Sequence, residues 1–320
     1  MFTASTKTTT AGLSHLATVH YNRRALSTKK KRTHFWRLGR PDDLPLQNGK
    51  TAQWFRPTEF GANTTATAEG EPSSGLALQS STISATVAQY SDVIALSDFL
   101  VQTDIVSSLD MATERLSYRA ALSMDGIYKT ELDATATDQP LLGDYLAATD
   151  LARTRFEFAG ADVEPFEGSY HRGIFHPHCL YDLMLDPQAG GFQDLSKHMD
   201  ELKSKNISIP DRGYIGKLHN VEIYESSNAT QIAGTPNKWR NYIAGFEAFG
   251  ILRLAGKGPK NITNPDRERF NLNIVRNDGN QLFDAEKKIA AAVAYNVKVT
   301  AKTLDATRLR KIDAPSGIVA

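Results

Sequence analysis

Residues 49–100 read GKTAQWFRPTEFGANTTATAEGEPSSGLALQSSTISATVAQYSDVIALSDFL. Ile83, Ala85 and Val87 alternate with Ser84, Thr86 and Ala88, the period of two expected of a strand. The stretch reads as two extended arms joined by a long polar loop, and it leads directly into a helix. The loop, Gly61 to Gly75, is built of Thr, Ala, Gly and Ser with Pro72. Such a loop buries little surface by itself and is uncommon inside a compact domain. It carries no nucleophile, no acid–base pair and no metal-ligand spacing. A loop of that length without chemistry points to contact with another molecule.

Outward from it, the helix continues the argument. Ile105, Leu109, Ala112, Leu116, Ala120, Met124 and Ile127 recur at spacings of three and four, which places them on one face. No proline lies between Pro72 and Pro140. Residues 105–132 therefore read as one rod of about 40 Å at 1.5 Å per residue, well above the usual three turns. Its opposite face carries Asp110, Glu114, Arg115, Arg119, Asp125 and Lys129. A second helix is expected from Leu142 to about Thr154, and another over 192–203. A buried strand begins at Gly173 and is broken by Pro177. A short hairpin runs from Ile215 to Tyr224, and an apolar segment from Tyr242 to Leu254. Thirteen residues of alternation, Ile289 to Ala301, make a long strand with one buried face. There is no internal repeat. This order of elements argues α+β rather than a regular βαβ winding.

The chain has 320 residues, 41% hydrophobic and 23% charged, enough for one large or two small cores. No run approaches the roughly 18 apolar residues of a membrane helix. The single cysteine, Cys179, excludes an internal disulfide and a multi-cysteine metal cluster.

The net charge of +1 hides an asymmetry. Residues 1–40 hold nine Lys or Arg and no Asp or Glu; the remaining 280 hold 28 basic and 36 acidic residues. A basic arm, with Arg23, Arg24, Lys29, Lys30, Lys31 and Arg32 at its centre, thus precedes a mildly acidic body. Three readings of the arm compete: an organelle transit peptide, a nuclear or nucleic-acid contact, and a solvated tail. We expect it to lie on the acidic body of a neighbouring chain, with nucleic acid as a second contact.

The motifs that carry chemistry are weak. His176-Pro177-His178-Cys179, with Asp182 and Asp186 nearby, resembles a zinc site, but Pro177 separates the histidines and no third ligand set is evident. The plainer reading is a strand end, a proline breaker and a short helix from Leu180 to Leu185. Gly256-Lys257-Gly258-Pro259-Lys260 resembles a phosphate loop but lacks GxxxxGK followed by Ser or Thr, and its proline removes an amide. Asn228-Ala229-Thr230 and Asn261-Ile262-Thr263 match the glycosylation sequon, which we read as chance. No catalytic constellation stands out, which favours a structural or binding role: not an enzyme, and without a cofactor or metal.

Several pieces in order resemble the major capsid proteins of tailed phages, specifically the coliphage N-four-type family. They are Tyr21-Asn22-Arg23-Arg24-Ala25-Leu26; Gly49-Lys50-Thr51 through Phe55-Arg56; Thr67-Ala68-Glu69-Gly70; Ile83 through Tyr90; and Leu96-Ser97-Asp98. Further on come Phe175-His176-Pro177 with Tyr181-Asp182-Leu183, Ile215-Gly216-Lys217 with Val221-Glu222-Ile223, and Glu225 through Ala229. His219-Asn220 departs from the family's usual small residues in that hairpin.

The resemblance implies a Hong Kong 97-type capsid fold, α+β, with an N-terminal arm at 1–46 and an extended β-hairpin loop at 47–93 reaching over a neighbouring subunit. It implies a peripheral domain at 94–165 containing the long spine helix 105–132, an axial domain at 166–255, and return strands at 256–320 that end at the axial domain. The implied function is self-assembly into hexamers and pentamers of an icosahedral shell around double-stranded DNA. Its partners would be itself, portal and decoration or cement proteins, and the packaged DNA bound non-specifically, with no membrane. The place would be the virion, assembled in the host cytoplasm. Trp54, Phe55, Arg56 and Glu69 are the expected inter-subunit contacts of the loop, since aromatic and Arg side chains dominate contact energetics. Many weak contacts engaged together would supply the stability of a shell. A nanocompartment shell of the same fold, enclosing protein cargo, is the alternative. A soluble nucleic-acid-binding protein with a basic arm is a more distant one.

Overall fold

Ser107 accepts a hydrogen bond from the Asp110 amide (3.3 Å) and so starts a helix of 28 residues, Ser108–Thr135. The computed structural model describes residues 31, 33–45, 49–70, 75–104, 107–166, 170–186, 214–234, 236–254, 271–275 and 290–318. The expected helix at 192–203, the Gly256–Lys260 turn and the sequon at Asn261 lie outside the described residues.

In chain order, a 3-10 turn at Phe35–Leu38 leads to β1 (Arg40–Leu44), β2 (Thr51–Pro57), β3 (Ser80–Thr86) and β4 (Ala88–Ser97). Then follow α1 (Asp98–Thr103), the long helix α2 (Ser108–Thr135), β5 (Thr137–Asp138), α3 (Ala148–Gly160), β6 (His171–Phe175) and α4 (Pro177–Leu185). The last part holds β7 (Tyr214–Leu218), β8 (Val221–Glu225), β9 (Gln231–Ile232), β10 (Lys238–Ala244), β11 (Phe249–Leu254), β12 (Asn271–Val275), β13 (Ala290–Thr303) and β14 (Leu309–Pro315).

The described strands form three sheets. In the five-stranded sheet, β13 is the hub. It pairs antiparallel with β4 along 290–299, and with β12 and β11 on its other edge; β1 adds parallel to β11. The seven-stranded sheet runs β5-β14-β10-β6-β8-β7, with β9 also on β10. The third is the β2–β3 hairpin alone.

The alternating pattern of 289–301 forms the predicted long strand: Val293, Tyr295, Val297, Val299 and Ala301 are buried. They meet Leu109, Ala112, Leu116, Ala120, Met124, Tyr128 and Leu132 of α2, joined by Phe35, Leu38 and Phe249. Each fully buried leucine of this face contributes roughly 2 kcal/mol of apolar transfer.

The seven-stranded sheet is covered on both sides. Tyr242, Ala244, Ile174 and Leu309 join the α2 core, while Ile243, Trp239, Phe175, Ile223, Ile312 and Ala314 join a second core with Leu151 and Phe158 of α3 and Cys179, Leu180 and Leu183 of α4.

Four expectations are corrected. The long helix begins at Ser108, where Ser107 caps it, and continues to Thr135, so Tyr128 and Leu132 complete its buried face; Ile105 lies outside the described residues. Asp125, expected on the solvent side, is buried: it accepts from the Phe35 amide (3.0 Å) and from Asn228 Nδ2 (2.8 Å), which satisfies the carboxylate away from water. The second helix starts at Ala148 instead of Leu142. The Asp150 carboxylate reaches back to the amides of Ala147 (3.0 Å) and Leu142 (2.9 Å), so residues 142–147 form a loop tied to the helix start. The apolar segment Tyr242–Leu254 is two strands, split by a turn at Gly245–Ala248 in which Glu247 takes a left-handed conformation.

Candidate assembly surface

The hairpin is registered Thr51↔Thr86 through Pro57↔Ser80, so its side chains divide cleanly between two faces. On the inward face Ala52, Trp54, Ala85 and Val87 meet Leu44 of β1 and Leu252 and Leu254 of β11 in a small apolar cluster. Two longer contacts supplement it. The Trp54 indole N–H donates to Asp42 Oδ2 at 2.6 Å. The Arg56 guanidinium donates to the Leu304 carbonyl (3.0 Å) and pairs with Asp305 (3.2 Å). Asp305 also caps the following turn through Thr307, and these hydrogen bonds with Arg56 and Arg308 hold its carboxyl below the usual range against the effect of burial.

On the outward face Phe55 is 70% exposed. Beyond the ladder, the loop adds Phe60 (52%), Leu76 (74%) and Leu78 (76%). A group of large apolar side chains on one projecting element marks an interaction surface. Glu69 stands exposed beside Gly70, whose positive φ of 87° makes the turn there. Trp54 and Arg56, therefore, have partners within the chain, whereas Phe55 and Glu69 face solvent.

At the root of the hairpin, β4 is fixed to the body. Asp92 accepts from Tyr295 Oη (2.8 Å) and from Arg119 Nε of α2 (2.6 Å). The Tyr295 hydroxyl first, and Arg119 second, hold the Asp92 carboxyl below its ordinary range.

Of the basic tract, Arg23, Arg24, Lys29, Lys30 and Arg32 lie outside the described residues. The Lys31 amide donates to Tyr118 Oη of α2 at 2.7 Å, which places Lys31 against the long helix. Next to it, Arg37 lies over the rings of Trp36 (4.7 Å) and Tyr224 (4.6 Å), and Arg40 pairs with Glu247.

The paired histidines have a structural task. Strand β6 ends at Phe175, and Pro177 opens α4 with His176 as its cap: Nδ1 accepts from the His178 amide (3.3 Å). The His176 ring stacks on Trp239 at 4.9 Å and 10°. Burial, then the nearby His178 and Lys31, push its pKa down to about 4. No group of three or more His, Cys, Asp or Glu among the described residues is arranged to hold a metal. Cys179 is buried, its thiol pushed up to about 11 by burial, which makes it a poor nucleophile. Asn228 of the first sequon is buried on Asp125. No described helix is long and apolar enough to cross a membrane.

The sequence reading missed further exposed apolar side chains, among them Leu142 and Tyr145 in the loop before α3 and Tyr181 and Leu185 on α4. Only the i, i+4 spacing of Tyr181 and Leu185 could have signalled them.

No family model matches the sequence, and no curated protein does. Solved structures do. The capsid of Ralstonia phage GP4 superposes with a TM-score of 0.70 at 12% identity, over 95% of this chain and 97% of that one. The capsid of cyanophage P-SCSP1u gives 0.66 at 12% identity, over 99% and 97%. The chain has the Hong Kong 97-type capsid fold. The SrpI encapsulin of Synechococcus elongatus PCC 7942 follows with a TM-score of 0.59 at 9% identity, over 97% and 96%.

Proposed function

We propose that this chain is the major capsid protein of a tailed phage of the coliphage N-four type, a structural protein and not an enzyme. It assembles into hexamers and pentamers of an icosahedral shell enclosing double-stranded DNA. The observation that carries this reading is the end-to-end likeness to phage capsid chains, close to complete in both directions. The outward face of the hairpin supports it, because a two-stranded arm with exposed Phe55, Leu76 and Leu78 needs a partner surface.

In this reading residues 1–46 are the N-terminal arm, 47–93 the extended loop, 94–165 the peripheral domain with its spine, 166–255 the axial domain and 256–320 the return. Phe55 and Glu69 face the next subunit, and Trp54 and Arg56 support them from below. Arg23, Arg24, Lys29, Lys30, Lys31 and Arg32 offset acidic surfaces of adjacent subunits or the packaged DNA, for which basic residues suffice without specific contacts. Portal and decoration proteins complete the virion, assembled in the host cytoplasm.

Electron microscopy of the purified protein tests the proposal: uniform polyhedral shells are expected, and a monomer or dimer under all conditions overturns it. A nanocompartment is the second reading, favoured by the likeness to the SrpI encapsulin. The contents of particles purified from the native source separate the two, DNA for a virus and a cargo protein for a nanocompartment.

A further inference from the structure

Apart from Trp54 and the half-buried Ile83, the face of the hairpin that turns inward offers only small side chains to Leu44, Leu252 and Leu254, yet the hairpin lies in a defined pose on the five-stranded sheet. Ala52, Ala85 and Val87 are small, and the cluster they join contains few buried residues. Two polar contacts sit on either side of Phe55 in sequence, both on the inward face. Trp54 spans to Asp42 on β1, and Arg56 spans to Leu304 and Asp305 after β13.

The indole also needs room. A Cβ on Gly250 of β11 would stand 3.1 Å from Trp54 Cζ2 and 3.2 Å from Leu304 Cδ2, so the missing side chain is the notch in which the ring rests. Both acceptors are themselves held. Asp42 lies beside Arg40 (3.6 Å), and Asp305 is bound by Thr307 and Arg308.

We propose that Trp54 and Arg56 are positioning residues for assembly: a two-point latch, Trp54 to Asp42 in the Gly250 notch and Arg56 to the Leu304–Asp305 corner, that sets the angle at which the hairpin offers its outward face to a second copy of this chain. The inference rests on the shell reading for the identity of that partner, but the latch itself is a property of the single subunit. A hairpin held by directional hydrogen bonds at two points two residues apart on one strand loses little further freedom when a neighbour binds, so association carries less ordering cost. A hairpin held by this small apolar cluster alone would sample more angles and close shells of mixed size.

The test uses the full chain kept below the concentration at which it assembles. Hydrogen exchange is read at the amides of 51–57 and 80–86 in wild type, in D42A/R56A, in D42N, which keeps an acceptor for the indole, and in G250A, which fills the notch. The double variant is expected to exchange roughly tenfold faster in the hairpin, with the melting temperature and the exchange of β10 unchanged. D42N is expected near wild type, and G250A in between. In electron microscopy D42A/R56A should give shells of mixed size or open sheets where wild type gives one size. Unchanged hairpin exchange in the double variant overturns the latch, whatever the particles look like. Faster exchange with shells of normal uniformity overturns its role in assembly. Absence of shells from wild type refutes the shell reading, and the exchange result still decides the latch.

Discussion

Strands β2 and β10 are both seven residues long, and they use their alternation differently. In β10, Trp239, Asn241 and Ile243 face the α3–α4 core, while Arg240 and Tyr242 face α2, and nearly every position is buried or half-buried. Its buried and half-buried polar side chains, Arg240, Asn241 and Tyr242, are matched within the subunit. Arg240 is bidentate to Asp313 (2.7 and 2.9 Å) and reaches Asp133 (3.1 Å), which also accepts from Tyr242 and from Thr230 (2.8 Å). In β2, one face rests on the body and the other, with Phe55, meets solvent. One strand is complete in the monomer. The other leaves one face, with Phe55, open to solvent.

The sharpest way to break this contrast is to compare losses of subunit stability. Ile243→Ala, which empties space between two helices and a sheet, should cost about 3 kcal/mol in chemical denaturation of the unassembled chain. Asp133→Ala should cost about 2 kcal/mol, because it leaves Arg240, Tyr242 and Thr230 short of an acceptor; Asp133→Asn, which keeps an acceptor, should cost less.

The next effect is one of pH. His176 caps α4 and stacks on Trp239 of β10, and its folded pKa of about 4 lies below the ordinary 6.5. Folding therefore favours the neutral ring. The contribution is complete above about pH 6.5 and is lost as pH falls toward about 4. His171, lowered by burial and then by Arg155, acts in the same direction. Allowing for the partial exposure of the ring, the loss should be about 1–2 kcal/mol, and His176→Phe should reduce the slope in that window. Equal slopes in wild type and variant would remove His176 from the account.

The smallest effect on the subunit should come from the outward face. Phe55→Ser with Leu78→Ser is expected to change stability by less than about 0.5 kcal/mol while strongly reducing assembly, measured by light scattering. A loss as large as that of Ile243→Ala would mean that Phe55 is buried in the monomer, and the contrast would fail.

Much of this was legible in the residues. The helix face from Leu109 to Met124 and the alternation from Ile289 to Ala301 are patterns a single element imposes on itself, so period alone reveals them. The exposed hairpin was legible for the same reason, as was the proline break after His176. Asp125 was misread because its partners, Phe35 and Asn228, are 90 and 103 residues away in sequence. The start of α3 was misread because the i, i+4 pair Leu142 and Leu146 resembles a first helical turn until Asp150 is seen capping the helix at Ala147.

The residues 54–56 show where the boundary lies. Sequence by itself determined that Trp54, Phe55 and Arg56 sit on an extended arm at the base of a polar loop, and it read all three alike as contacts to a neighbour. It also determined the long helix and long strand on which the arm is mounted, because periodic burial is written locally. Only the tertiary structure decided that Trp54 and Arg56 turn toward Asp42, Gly250 and Asp305, leaving Phe55 outward. Those partners come from β1, β11 and the turn after β13, brought together by non-local strand pairing that no local pattern encodes.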